Sequence, residues 1–257
     1  MNRIASFVYG VVCYAIFFVT FLYAIGFVGN LVVPKAIDSP ATGPLAVALA
    51  IDLGLLTLFA VQHSVMARPA FKRAWTRIVP PVVERSTYVL FSSVALILLF
   101  ALWQPLGGVV WDVENPLIRG GLYAAYAFGW ALVLTATFMI NHFDLFGLRQ
   151  VWLHLRGQPY TPVSFRTPLP YQIVRHPLYV GWLFAFWATP TMTVTHLVFA
   201  LMTTAYILVA IQLEERDLIA AHPEYAAYRR RVPMLVPGLR RPAPEQDLEA
   251  TVRTRTA

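Results

Sequence analysis

The chain has 257 residues, 58% of them hydrophobic and only 13% charged, with 20 Lys+Arg against 13 Asp+Glu and a formal net charge of +7. Soluble domains run at about 45–50% apolar and about 25% charged, so this composition excludes a water-soluble globular enzyme, a disordered chain and a secreted disulfide scaffold. The one cysteine, Cys13, lies inside an apolar run and can close no intramolecular disulfide.

From the N-terminus, no charged residue stands between Arg3 and Lys35. That run is too long for the apolar core of a signal peptide and predicts a first transmembrane helix over about 7–31. A second apolar run covers 43–66, interrupted only by Asp52; a third spans about 86–106 and a fourth about 120–141. The last, 177–213, carries no Asp, Glu, Lys or Arg. As one straight helix it would be about 55 Å long, against a hydrocarbon core of about 30 Å. Halfway along, Thr189-Pro190-Thr191-Met192-Thr193 groups poor helix formers around a proline. The stretch is therefore expected to fold into two antiparallel arms, about 177–190 and 195–213.

The fold expected is an all-α, polytopic helical membrane protein: four spanning helices plus a C-terminal helical hairpin, with both termini cytoplasmic. With that arrangement 18 of the 20 positive residues face the cytoplasm, and only Lys35 and Arg119 face out. The net positive charge is thereby assigned to cytoplasmic loops next to the lipid bilayer, not to a nucleic-acid partner. No linker divides the chain, so residues 1–241 are expected to form a single domain in a bacterial inner membrane, followed by a flexible tail over 242–257 rich in Pro, Arg, Glu and Thr.

The hairpin brings two clusters to one membrane face: Arg175-His176-Pro177 before the first arm and Glu214-Glu215-Arg216-Asp217 after the second. Pro177 suits a first helical turn, which places His176 where free N–H groups favour an anion. A donor-rich turn beside a carboxylate pair suits a zwitterionic ligand; the same charges would equally serve as interfacial anchors ending two spans.

Arg175-His176-Pro177-Leu178-Tyr179-Val180-Gly181-Trp182 resembles the R-H-P-x-Y-x-G signature of the isoprenylcysteine carboxyl methyltransferase-like (NnrU-related) superfamily of membrane methyltransferases. Downstream, Glu214-Glu215, Tyr225-x-x-Tyr228 and Val232-Pro233 are similar to that superfamily in order and spacing. Upstream, the stretches from Gln62-His63-Ser64 to Pro69 and from His142-Phe143-Asp144 to Gln150 look like its bacterial methanethiol S-methyltransferase branch. The resemblance implies S-adenosyl-L-methionine as methyl donor, bound by a part of the chain over about 142–237. It implies Tyr171, Arg175, His176, Pro177, Leu178 and Tyr179 as cofactor-binding positions, Phe165 and Arg166 in a second such stretch, and Glu214 as the functional glutamate. In the carboxyl methyltransferases an arginine stands four residues before that glutamate; here the position is Ala210. The expected substrate is therefore a small thiol such as methanethiol, converted to dimethyl sulfide. A thiolate nucleophile needs a base or a positive field: His63, His142 and Asp144, grouped on the cofactor's side of the membrane, are the base candidates, Arg149 or Arg175 could supply the field, and the catalytic role expected of Glu214 is to orient the donor's charged groups.

Asp52 reads equally as a functional carboxylate or a hydrogen-bonded packing residue. His154 and His222 read as solvated, and His196 as lying near the outer turn. No His/Cys spacing indicates a metal site, and no glycine-rich strand–turn–helix indicates a Rossmann-type methyltransferase. A prenylcysteine carboxylate or phospholipid amine as acceptor, or a non-enzymatic NnrU-like transporter or accessory protein, stays open; so does the oligomeric state.

Overall fold

The computed structural model describes residues 2–41 and 43–239; the expected tail over 242–257 lies outside the described residues. Five helices are long and apolar enough to cross a membrane: α1 (Arg3–Gly29), α2 (Leu45–Ala67), α4 (Pro81–Leu102), α5 (Pro116–Ile140) and α10 (Val194–Ala221). Their ends follow local chemistry. The Asn2 side chain accepts the Ile4 N–H at 3.2 Å to start α1. Asn30 closes it in the left-handed conformation at φ 54°. Helix α5 starts from Pro116, with the Asn115 side chain accepting the N–H groups of Leu117 and Ile118.

Shorter helices fill the connections: α3 (Pro69–Trp75), α6 (His142–Leu145), α7 (Leu148–Leu155), α8 (Leu169–Ile173), α9 (Pro177–Trp187) and α11 (Glu224–Arg231). The expected all-α fold is amended by one two-stranded antiparallel ladder, β1 (Val109–Asp112) with β2 (Thr191–Thr193).

The last apolar stretch does turn back on itself, but not as two spanning arms. Helix α9 has 11 residues, about 16 Å of rise, or half the hydrocarbon core. Pro190 cannot continue it, and the chain runs on extended until Thr193, whose side chain accepts the His196 N–H at 3.0 Å and caps α10. Helix α10 in turn does not stop at the charges. Leu213 to Ala221 are mostly good helix formers, and the helix ends only before His222-Pro223. Glu214 and Glu215 therefore stand within a helix and not after it.

Backbone contact locks α5 to α9. A Cβ on Gly129 would lie 2.6 Å from Ala185 N and 2.7 Å from Gly181 O. Lipid tails are as apolar as side chains, so such close approach, and not burial from water, holds a helix pair of this kind together. The apolar core centres on Phe27, Leu99, Trp103, Ala200 and Ile211.

The ladder end of the bundle is tightly laced. The Gln104 N–H donates to Asp52 Oδ1 at 2.8 Å, just past the end of α4, while Asp52 Oδ2 is buried with no hydrogen-bond partner among the described residues. The Leu106 N–H donates to Thr195 Oγ1 at 2.7 Å and Trp103 Nε1 to Ile37 O at 3.2 Å. Thr193 and Asn30 both donate to Asp38. Burial alone would raise the Asp38 carboxyl, yet its partners His196, Thr193 and Asn30 hold it below the usual carboxylate range. His196 sits here, donating Nε2–H to Phe186 O at 2.9 Å, away from the opposite end of the bundle.

Candidate active site

At the end opposite the ladder, the two clusters flanking the last apolar stretch meet. The Arg175 N–H donates to Pro233 O at 2.8 Å and the His176 N–H to Met234 O at 3.2 Å, so the segment after α11 lies beside the entry to α9. Pro177, fully buried, starts α9 and fixes the direction in which His176 leaves the helix.

Glu215 is the hub. It is 1% exposed, and a lone carboxylate there would cost several kcal/mol. Arg175 Nε donates to its Oε1 at 2.6 Å, His176 Nε2 lies 3.1 Å from the same oxygen, and Arg229 Nε is 2.9 Å from Oε2. The Tyr225 hydroxyl adds a weak contact at 3.4 Å. Arg175 also donates through Nη1 to the carbonyls of Arg229 and Val232, at 2.9 and 2.5 Å, and so ties α11 to α9 and α10.

One residue earlier on α10, Glu214 points elsewhere. Its side chain is 43% exposed; the Tyr179 hydroxyl donates to Oε2 at 3.0 Å, and His176 Nδ1 is 4.0 Å from the same atom. His176 thus stands between a buried and an open carboxylate. Beside them, the Tyr171 hydroxyl is buried with no hydrogen-bond partner among the described residues. Burial first, and the Glu214 carboxylate second, push its phenol up. The Tyr171 carbonyl accepts from the Tyr228 hydroxyl at 2.5 Å. An open carboxylate, an orphaned hydroxyl and an imidazole on one rim fit a ligand carrying both amine and hydroxyl groups, as S-adenosyl-L-methionine does.

Of the sequence-expected cofactor positions, Tyr171, Arg175, His176, Pro177, Tyr179 and Glu214 come together here, with Leu178 half-buried in the first turn of α9. Phe165 packs on the α11 side, its ring 5.7 Å from His222 and from Tyr228. His222 keeps about a third of its side chain open to solvent, whereas His154 is half-buried, with Nε2 unpartnered among the described residues. Arg166 is exposed, bonds only to Ser164 Oγ among the described residues, and is not drawn into the cluster.

The three expected bases are not gathered into one set; no hydrogen bond joins them among the described residues. His142 is 3% exposed, with the Tyr14 hydroxyl 2.8 Å from Nε2 and Thr137 Oγ1 2.8 Å from Nδ1. Burial holds its imidazole below the usual range. Asp144 is paired with Arg149 at 2.9 Å, and Arg149 goes on to donate to Thr161 O and Oγ1, at 2.7 and 2.8 Å. This clamp pins the 156–161 connection to α7. His63 is half-buried between Tyr88 and Phe59. Sequence reasoning placed the Glu214-Glu215 pair beside Arg175 and His176 but missed Arg229 as a site-building residue and did not show which glutamate is the buried one. The available signal was the arginine of R-H-P, which needs a buried anion when its own flank becomes a helix entry.

Over 92% of its length the chain is 57% identical to the methanethiol S-methyltransferase of Crocosphaera subtropica, covering 93% of that protein. It is 56% identical to the methanethiol S-methyltransferase of Mycobacterium tuberculosis, covering 98% of it. At greater distance it is 35% identical to the nurim of Rattus norvegicus, over 66% of this chain and 68% of that protein. No family model and no solved structure matches the chain.

Proposed function

The chain belongs to the methanethiol S-methyltransferase family, and from that premise we propose that it methylates a small thiol, methanethiol giving dimethyl sulfide, with S-adenosyl-L-methionine as donor. When bound, that donor supplies a methyl group on a sulfonium, transferable in one in-line displacement. Such a reaction gains most from positioning, and the residues at the α11 end of the bundle are suited to it. Glu214, open on one side, accepts hydrogen bonds from the donor's amine or hydroxyl groups, and Tyr171 offers its unpaired hydroxyl. Tyr179 orients Glu214 and presents a ring able to face a cation. Arg175, Arg229 and Glu215 hold His176 in place from behind.

The single observation that carries the donor site is the meeting of His176, Tyr179 and Glu214, from segments about 35 residues apart, around that unpaired hydroxyl. The neutral acceptor is favoured by Ala210, which stands in an apolar part of α10 where a substrate carboxylate would need a cation. The α11 end is assigned to the cytoplasmic face of a bacterial inner membrane, since among the described residues all the arginines and lysines except Lys35 and Arg119 lie towards that end.

Purified protein given methanethiol and S-adenosyl-L-methionine should release dimethyl sulfide into the headspace. Glu214→Gln and His176→Ala should each lower that rate by about 100-fold or more, of the order of one lost transition-state contact, while the protein still inserts. Methylation of a prenylcysteine carboxylate with none of methanethiol would return the chain to carboxyl methylation.

A further inference from the structure

A thiol must lose its proton to become the nucleophile, and free cysteine thiols titrate only near ~8.5. Asp144 is paired with Arg149, and His142 has a hydroxyl at each ring nitrogen. His63 likewise has hydroxyl partners, but its helix is joined to α10, the Glu214 helix, through Ser64–Tyr206 and Arg68–Asp217. The His63 ring lies 5.2 Å from both Phe59 and Tyr88, and Tyr206 stands edge-on to Phe59 at 6.3 Å. Ser92 Oγ is 3.2 Å from Nδ1, and the Tyr88 hydroxyl lies 2.9 Å from Nε2 and 3.0 Å from Nδ1. The Tyr206 and Ser64 hydroxyls are 3.1 Å apart, joining α10 to α2. Aromatic rings thus surround a half-buried imidazole.

This cluster adjoins the Glu214 side of the bundle. Arg68, at the foot of α2, pairs at 2.8 Å with Asp217, three residues beyond Glu214 on α10. The cations facing His63 are Arg68 and Arg85, the latter 5.6 Å over the Tyr88 ring.

Taking thiol methylation as given, we propose that the acceptor's S–H is held beside the Tyr88 hydroxyl, among α2, α4 and α10, and that its proton passes to the Tyr88 oxygen as the Tyr88 proton moves to Nε2 of His63. Ser92 and Tyr206 are positioning residues: Ser92 orients the imidazole and Tyr206 packs against Phe59. The S–H bond breaks and its electron pair stays on sulfur. That sulfur bonds to the methyl carbon as the donor's carbon–sulfonium bond breaks, leaving a neutral thioether. The proton passes from His63 to water at the Arg68–Asp217 rim, where both side chains are partly exposed.

The test compares full-length wild type, His63→Gln and Tyr88→Phe for S-adenosyl-L-methionine binding and for kcat/KM on methanethiol across pH. His63→Gln should bind the donor as wild type does, yet lose about 100-fold at neutral pH, the scale of a missing general base. The deficit should close as pH rises and solution thiolate replaces the missing base. Tyr88→Phe should show a comparable loss with the same alkaline recovery. It carries the test with the same outcomes should His63→Gln not insert. A loss that stays constant with pH, a loss of donor binding, or unchanged turnover would overturn the assignment. Wild type inactive on every thiol would instead remove the thiol-methylation proposal itself.

Discussion

At Glu215 a carboxylate with 1% exposure meets two guanidinium groups and an imidazole, whereas the side chain of Glu214 next to it is 43% exposed and bonded to one phenol. The two substitutions should therefore separate stability from activity. Glu215→Gln leaves Arg175 and Arg229 facing each other without their anion and should cost about 3–5 kcal/mol, the usual consequence of breaking a buried pair. Glu214→Gln should cost less than about 1 kcal/mol while abolishing turnover. Thermal unfolding in detergent read beside dimethyl sulfide release distinguishes them; equal destabilisation by both would contradict the division of labour. That Arg175, His176 and the glutamate pair share one site was legible from sequence, because both clusters flank the same apolar run. Which glutamate turns inward was not. Successive residues on a helix point about 100° apart, and the rotation of α10 is set by its packing against α2 and α9.

Helix α9 shows where length arithmetic stops being informative. That 37 apolar residues must fold back follows from the thickness of the bilayer, but half a helix joined to an extended strand satisfies that condition as well as two tilted arms do. Thr191-Met192-Thr193 is too short a segment for a strand period to register, and its partner β1 lies about 80 residues earlier. The charges of Glu214 to Asp217 mark the end of the apolar stretch, yet only His222-Pro223 stops the helix itself. The short α9 is held by contact of its backbone with α5, so Gly129→Val should force the helices apart and cost about 1–3 kcal/mol. Gly121→Ala, on the same helix with nothing within 4 Å of the added carbon, should be neutral or slightly stabilising. Monodispersity and melting temperature in detergent would show the contrast, and tolerance of Gly129→Val would refute the close approach.

For the molecule as a whole, the basic loops and the ladder lie at opposite ends, so the orientation can be probed with two exposed positions. Cys13 is buried and should stay silent. With the α11 end inside, Glu114→Cys should react with an impermeant thiol reagent on intact cells, and Gln158→Cys only once the cells are opened; the reverse pattern would invert the assignment. The ladder end has a further consequence. Asp52, Trp103, Asp38, Thr193 and Thr195 bond segments far apart in the chain to one another across that end, and β1 pairs with β2 there. That end acts as a brace that fixes the spacing of the helices, so substitutions there should lower the melting temperature while leaving the geometry of the far end in place.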